Sequence, residues 1–226
     1  MEEMFRRRHL PHWDYPGATY FITACLEGSI PAQGLLDIAR CREDLVRGGR
    51  PVTMSEADWK ARCWKLMFAR ADEWLDTRPA VRHLADEILA TTVVDALYFF
   101  AGERYEILAY VVMPSHFHWV FRPRAEYEVT VPEGKSAREL IMHSIKRDTA
   151  YKCNQRLKRQ GAFWQQESFD HCVLDEDELE RIIDYIELNP VKAGLAASRV
   201  KWPFSSAYDR ERFGISPGHP LFRAKP

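Results

Sequence analysis

Two β-rich runs separated by only three residues, "RYEILAYVV" (104–112) and "HFHWVFRP" (116–123), constrain the fold more than any other feature of this 226-residue chain. A break as short as "MPS" (113–115) allows the runs to meet only as antiparallel neighbours, so they are read as a β-hairpin. A hairpin needs further strands or helices to bury its faces, and the flanking sequence supplies both. "ATYFITACL" (18–26) is β-branched and aromatic and reads as a first strand, and "SFDHCVL" (168–174) as a last one. Leu84, Ile88, Val94 and Leu97 recur with helical spacing in a segment that stops at Gly102. A long amphipathic helix is expected over 134–159, with Leu140, Ile141, Ile145 and Leu157 on its apolar side. Asp175 followed by Glu178 has the form of a capping box for a further helix, "EDELERIIDYIELN".

The resulting order predicts an α+β fold, a ferredoxin-like sandwich with helices on one face of an antiparallel sheet. A helical insertion follows the first strand. It spans 28–78 and contains a capped helix over 55–76 that starts at Ser55. The whole chain is read as one domain of this kind: a basic arm (1–17), the insertion (28–78), a core (83–206) and a C-terminal tail (207–226). The five cysteines are widely spaced and lack a C-x-x-C pair, which argues against a disulfide framework and a cysteine zinc site. The start carries no secretory signal and no run approaches the ~18 apolar residues of a membrane span, so the expected setting is cytoplasmic with no membrane partner.

Within the hairpin, His116 and His118 stand two apart in an apolar run, so they share one face while Phe117 and Trp119 take the other. Same-face imidazoles can share one metal ion and leave its remaining positions open; they can also be a hydrogen-bonded structural pair. On the helix after 175, Leu179, Ile182, Ile183 and Ile186 form the buried stripe. Tyr185 and Asn189 form an i, i+4 pair roughly 40° apart on its flank. That pair reads either as a phenol and carboxamide reaching an adjacent sheet, or as core packing plus an N-cap, since Pro190 follows Asn189.

Net charge is only −1, yet the charge is segregated. The 135–159 helix carries Lys135, Arg138, Lys146, Arg147, Lys152, Arg156, Lys158 and Arg159 against Glu139 and Asp148. Such a stripe suits backbone phosphates, or is a solvated helix face. Arg6, Arg7, Arg8, His12 and Trp13 combine cations with a stacking ring, which suits single strands or a minor-groove arm.

"VVMPSHFHWVF", "FWQQESFDH" (163–171), and "DYIELNPVKAGL" followed by "WPFSS" resemble motifs of the HUH single-tyrosine transposases, in their REP-associated branch. "RRRHLPHWDYPGATYFIT" is similar to that branch's N-terminal start, so the resemblance spans 1–26 and 83–206 and leaves 28–78 unmatched. It implies the same sandwich and an activity that cleaves and rejoins single-stranded DNA through a 5′-phosphotyrosine bond. His116, His118 and Asn189 would be metal ligands, Tyr185 the nucleophile, and the cofactor a divalent ion, Mg²⁺ or Mn²⁺. Ser115 departs from the asparagine that relatives often carry. The implied substrate is a folded-back hairpin or palindromic repeat, held in part by Arg6, Arg7, Arg8, Arg138, Lys146, Arg147 and Lys152. Related enzymes include monomers and homodimers, so a homodimer is compatible with the resemblance. The alternative function is a domesticated, non-catalytic nucleic-acid-binding module of the same fold.

Overall fold

A computed structural model describes residues 4–7, 11–166 and 168–222, with backbone alone for 4–7, 11–14 and Ala57. The chain divides into two compact units, Gly28–Arg82 and the remainder.

The larger unit is built on a four-stranded antiparallel sheet of β3 (Tyr20–Cys25), β4 (Tyr105–Val112), β5 (His116–Pro123) and β6 (Phe169–Cys172), in the spatial order β4-β5-β3-β6. The predicted hairpin is present with the three-residue break intact. Helix α3 (Glu87–Phe99) connects β3's side of the chain to β4, and α5 (Ala137–Arg156) connects β5 to β6, which completes the βαββαβ order of the sandwich. Asp86 caps α3, accepting from Ile88 N at 2.8 Å, and Ser136 caps α5 by accepting from Glu139 N at 3.3 Å. Helix α3 ends at Phe99, and Gly102 (φ +81°) belongs to the turn into β4, not to the helix stop expected there.

Alternation along the strands separates two sheet faces. Tyr20, Ile22, Phe117 and Trp119 point to the side of α3 and α5, where Phe117 meets Trp164 edge-on at 5.2 Å and Trp164 Nε1 donates to Thr149 Oγ1 on α5. Phe21, Thr23, His116 and His118 point to the other side, where α6 (Glu176–Lys192) packs against β4 and β5. The first face is a dry aromatic core, with Trp119 stacked on Phe121 at 4.0 Å and edge-on to Tyr105 at 5.0 Å. That core holds β5 rigid while leaving its other face available for polar groups.

The basic start is not a plain extended arm. Its described backbone forms a two-stranded ribbon, β1 (Met4–Arg7) against β2 (Pro11–Asp14), with Phe5 opposite Trp13. Arg8 lies outside the described residues, as do the side chains of Arg6 and Arg7. A short helix, α4 (Ala125–Glu128), follows β5. The segment read as a tail contains α7 (Ser206–Phe213), and Leu221 bridges to Ile107.

The smaller unit is a helical hairpin of α1 (Ala32–Gly48) and α2 (Glu56–Thr77). Ser55 caps α2 as expected, its Oγ accepting from Asp58 N at 3.1 Å. The helices approach closely at Gly34, where a Cβ would lie 3.0 Å from the Trp74 ring. Trp74 Nε1 also donates to Asp37 Oδ2 at 3.1 Å across the pair. None of the described helices is long and apolar enough to cross a membrane.

Candidate active site

Strand alternation delivers His116 and His118 to the α6 face, and both are fully buried. Their Nε2 atoms lie 3.0 Å apart. Each Nδ1 meets a hydroxyl: Thr23 Oγ1 is 2.7 Å from His118 Nδ1, and Ser115 Oγ is 2.9 Å from His116 Nδ1. Thr23 sits directly opposite His118 in the β3–β5 register.

Helix α6 brings the remaining groups. Leu179, Ile183 and Ile186 are buried while Ile182 is half-buried, so three of the four predicted stripe residues dock the helix and turn its flank toward β5. Tyr185 Oη and Asn189 Nδ2 each lie 3.5 Å from His118 Nε2. The Tyr185 ring meets His118 at 5.4 Å and Phe21 at 6.1 Å, both edge-on, and Lys192 Nζ stands 5.3 Å from its centroid. Tyr185 is half-buried, which leaves its hydroxyl approachable, whereas Asn189 is fully buried.

One sequence alternative for Asn189 is overturned. Helix α6 runs through Pro190 to Lys192, and Ala193 N donates to Asn189 O at 2.9 Å, so Asn189 is an interior helical residue and not a cap. Pro190 is accommodated in the last turn, where its missing N–H forfeits one bond near an end that is already thinly bonded.

The motif residues around the site anchor α6. In "WPFSS", Trp202 Nε1 donates to Val112 O at 2.9 Å and Val112 N donates to Phe204 O at 2.8 Å, so this segment covers the free edge of β4. Ser205 caps α7, and Ser206 Oγ donates to the buried Glu187 of α6 at 2.9 Å. Glu187 also accepts from Arg210 Nε at 3.1 Å. Arg210 reaches the carbonyl of Leu108, which sits at the register shift between Ile107 and Ala109. At the other end of α6, His171 of "FDH" meets Glu178 Oε2 at 3.0 Å. Glu178 accepts from Leu174 N, one residue earlier than a regular capping box would have it. These acids, which the sequence shows only as an acidic run, are bonded parts of the fold.

The donor set fits a divalent ion. Two nitrogens bound at about 2.1 Å and at right angles to one ion are about 3 Å apart, the separation of the two Nε2 atoms. A half-turn of the Asn189 side chain exchanges its nitrogen for its oxygen, which would complete a His/His/carboxamide set open on the Tyr185 side.

The sequence-predicted basic residues divide. Arg147 and Lys152 are exposed on α5, and Lys152 pairs with Asp148 at 2.8 Å, a surface contact that a phosphate can replace. Lys146 Nζ donates to the carbonyls of Gln165 and Gln166. Arg138 is buried in an ion pair with Asp170 and lies over the Tyr20 ring. A groove of about 520 Å³ runs between α5 and residues 161–166, with Lys135, His143 and Arg147 among its lining residues. It opens on the α5 face of the sheet, opposite the histidines.

No family model matches the chain. Over 113 residues it is 30% identical to a REP-associated tyrosine transposase of Escherichia coli (strain K12), a match covering 50% of this chain and 61% of that relative. Over 126 residues it is 25% identical to a putative REP-associated tyrosine transposase of Haemophilus influenzae, covering 54% of this chain and 72% of that one. The chain therefore spans less than two thirds of the first relative's length. A solved structure of a REP-associated tyrosine transposase bound to a REP hairpin superposes with a TM-score of 0.53 at 18% identity, over 99% of this chain and 94% of the other, which shows a shared fold. The chain is thus similar in sequence to REP-associated tyrosine transposases and shares the fold of one of them.

Proposed function

We propose that this protein is a metal-dependent single-stranded DNA endonuclease and strand transferase that acts at hairpin-forming repeats through a 5′-phosphotyrosine bond. The observation that carries this reading is the convergence of Tyr185 Oη and Asn189 on His118 Nε2, beside His116. A purely structural histidine pair has no need of a half-buried phenol and a buried carboxamide at the same nitrogen.

Tyr185 Oη gives up its proton and attacks the scissile phosphorus; the bond from phosphorus to the 3′ oxygen breaks, and that oxygen takes up a proton and departs as the 3′ hydroxyl, so protons balance. The phosphodiester energy is kept in the phosphotyrosine, so a returning 3′ hydroxyl can reverse the step and rejoin a strand. A phenol with an ordinary pKa near ~10 is a poor nucleophile at neutral pH, so the phosphate must be made more electrophilic. A divalent ion held by His116, His118 and Asn189 would supply that polarisation and offset charge on the leaving oxygen. Phe21 and His118 fix the ring edge-on, which limits the attack geometry to one flank of α6.

The test is incubation of the protein with labelled single-stranded hairpin DNA and Mg²⁺ or Mn²⁺, followed by denaturing electrophoresis. An SDS-resistant protein–DNA adduct that disappears with EDTA is expected. Hairpin binding without any adduct would favour the non-catalytic binding module instead.

Arg147 and Lys152 are proposed to hold backbone phosphates on the α5 face, so the bound strand passes round the β6 edge to reach Tyr185. Replacing both with alanine is expected to weaken binding about equally across DNA sequences. The slope of log K against log salt should shrink by about 0.7 to 0.9 per residue. An unchanged slope in a salt titration by fluorescence anisotropy would remove these residues from the DNA surface.

A further inference from the structure

The two histidines are held from behind by hydroxyls. Thr23 Oγ1 lies 2.7 Å from His118 Nδ1, and Ser115 Oγ lies 2.9 Å from His116 Nδ1, with both hydroxyl residues fully buried. They come from different places in the chain: Thr23 from the facing strand, Ser115 from the turn that starts β5. We propose that Thr23 and Ser115 are positioning residues that fix the tautomer and tilt of the two imidazoles so that both Nε2 atoms can face one divalent ion. This inference rests on the metal reading of the site given above.

The chemistry follows from counting protons. A neutral imidazole carries one N–H, so a ring that ligates through Nε2 must hold its proton on Nδ1. Two rings sharing an ion therefore present two Nδ1–H donors inside the protein, and each needs an acceptor. Thr23 and Ser115 provide one acceptor each, because a hydroxyl accepts while turning its own hydrogen elsewhere. Without an ion the demand differs: across the 3.0 Å separation, one Nε2 must donate to the other. The paired hydroxyls thus suit the loaded state of both rings at once, and a single structural histidine bond would require neither arrangement on both sides. Partners of this kind typically contribute 10–100-fold to metal affinity.

Thr23→Val keeps the branched shape and the strand preference while deleting the hydroxyl. Titration of the full chain with Mn²⁺, followed by the loss of the free-ion electron paramagnetic resonance signal, should show binding weakened by about 10–100-fold. Thr23→Ser restores the hydroxyl and should return affinity to within a few-fold of the natural chain. Ser115→Ala should weaken binding in the same direction. Hairpin DNA binding measured in EDTA should be unchanged in all three, a result that a folding defect would not give. Equal Mn²⁺ affinity in the natural chain, Thr23→Val and Ser115→Ala overturns this inference alone. Absence of Mn²⁺ binding by the natural chain overturns it together with the metal reading.

Discussion

Tyr185→Phe is expected to yield no SDS-resistant adduct with hairpin DNA, under any divalent ion. Strand cleavage should fall on the order of a million-fold, the scale on which covalent catalysis loses its nucleophile. Phenylalanine keeps the ring, so the edge-on contacts to His118 at 5.4 Å and Phe21 at 6.1 Å survive. The hydroxyl alone is lost, and its removal from a half-buried position creates no cavity. Stability should therefore change little and hairpin affinity should stay within about two-fold, since Tyr185 is not among the phosphate-holding cations. Anisotropy with labelled hairpin, run beside the adduct assay, separates chemistry from binding. An adduct that persists in Tyr185→Phe would assign the covalent bond to another residue and detach α6 from the reaction.

The sheet and its principal helices were legible because each carries a strong period. The three-residue break in the hairpin sets antiparallel pairing, and alternation then fixes that His116 and His118 share a face. Caps at Ser55 and Asp175 mark helix starts through local bonds that depend on few distant contacts, and the structure adds a third at Ser136. What sequence could not supply is register. Thr23 faces His118 only because β3 pairs with β5 in one particular alignment, and nothing local to Thr23 announces it. The same holds for Glu187, whose role depends on Ser206 and Arg210 arriving from a later helix. At Asn189–Pro190 the sequence left a capping alternative open, and burial of the helix on the sheet overrides that local signal. In α5 the charged residues do not share one environment. Arg138, Ile141, Met142, Ile145, Thr149 and Cys153 are the buried residues, and the three- and four-residue steps from Arg138 to Ile141 and Met142 place it in line with the core. The helical period thus separates the buried Arg138 from the exposed Arg147 and Lys152.

Arg138→Ala is expected to act on stability more than on DNA binding. Arg138 is 5% exposed and its partner Asp170, on β6, is 8% exposed, so the pair joins α5 to an edge strand inside the protein. Removing the cation takes from the buried Asp170 the charge it pairs with, which costs about 3–5 kcal/mol. The lost guanidinium also vacates the space above the Tyr20 ring, where its centre lies 5.8 Å from the centroid. At about 2–4 °C per kcal/mol for a chain of this size, the melting temperature should drop by roughly 6–20 °C. Neutralising both partners with Arg138→Met and Asp170→Leu should recover most of that loss, because no buried charge is then left alone. Calorimetry on the two variants provides the comparison, and hairpin affinity at a temperature where both are folded provides the control. If Arg138→Ala melts with the natural chain but binds hairpin DNA ten-fold more weakly, the guanidinium belongs to the phosphate surface after all. If it melts early while the folded fraction keeps its affinity and salt slope, the DNA-facing part of α5 begins beyond Arg138, with Arg147 and Lys152.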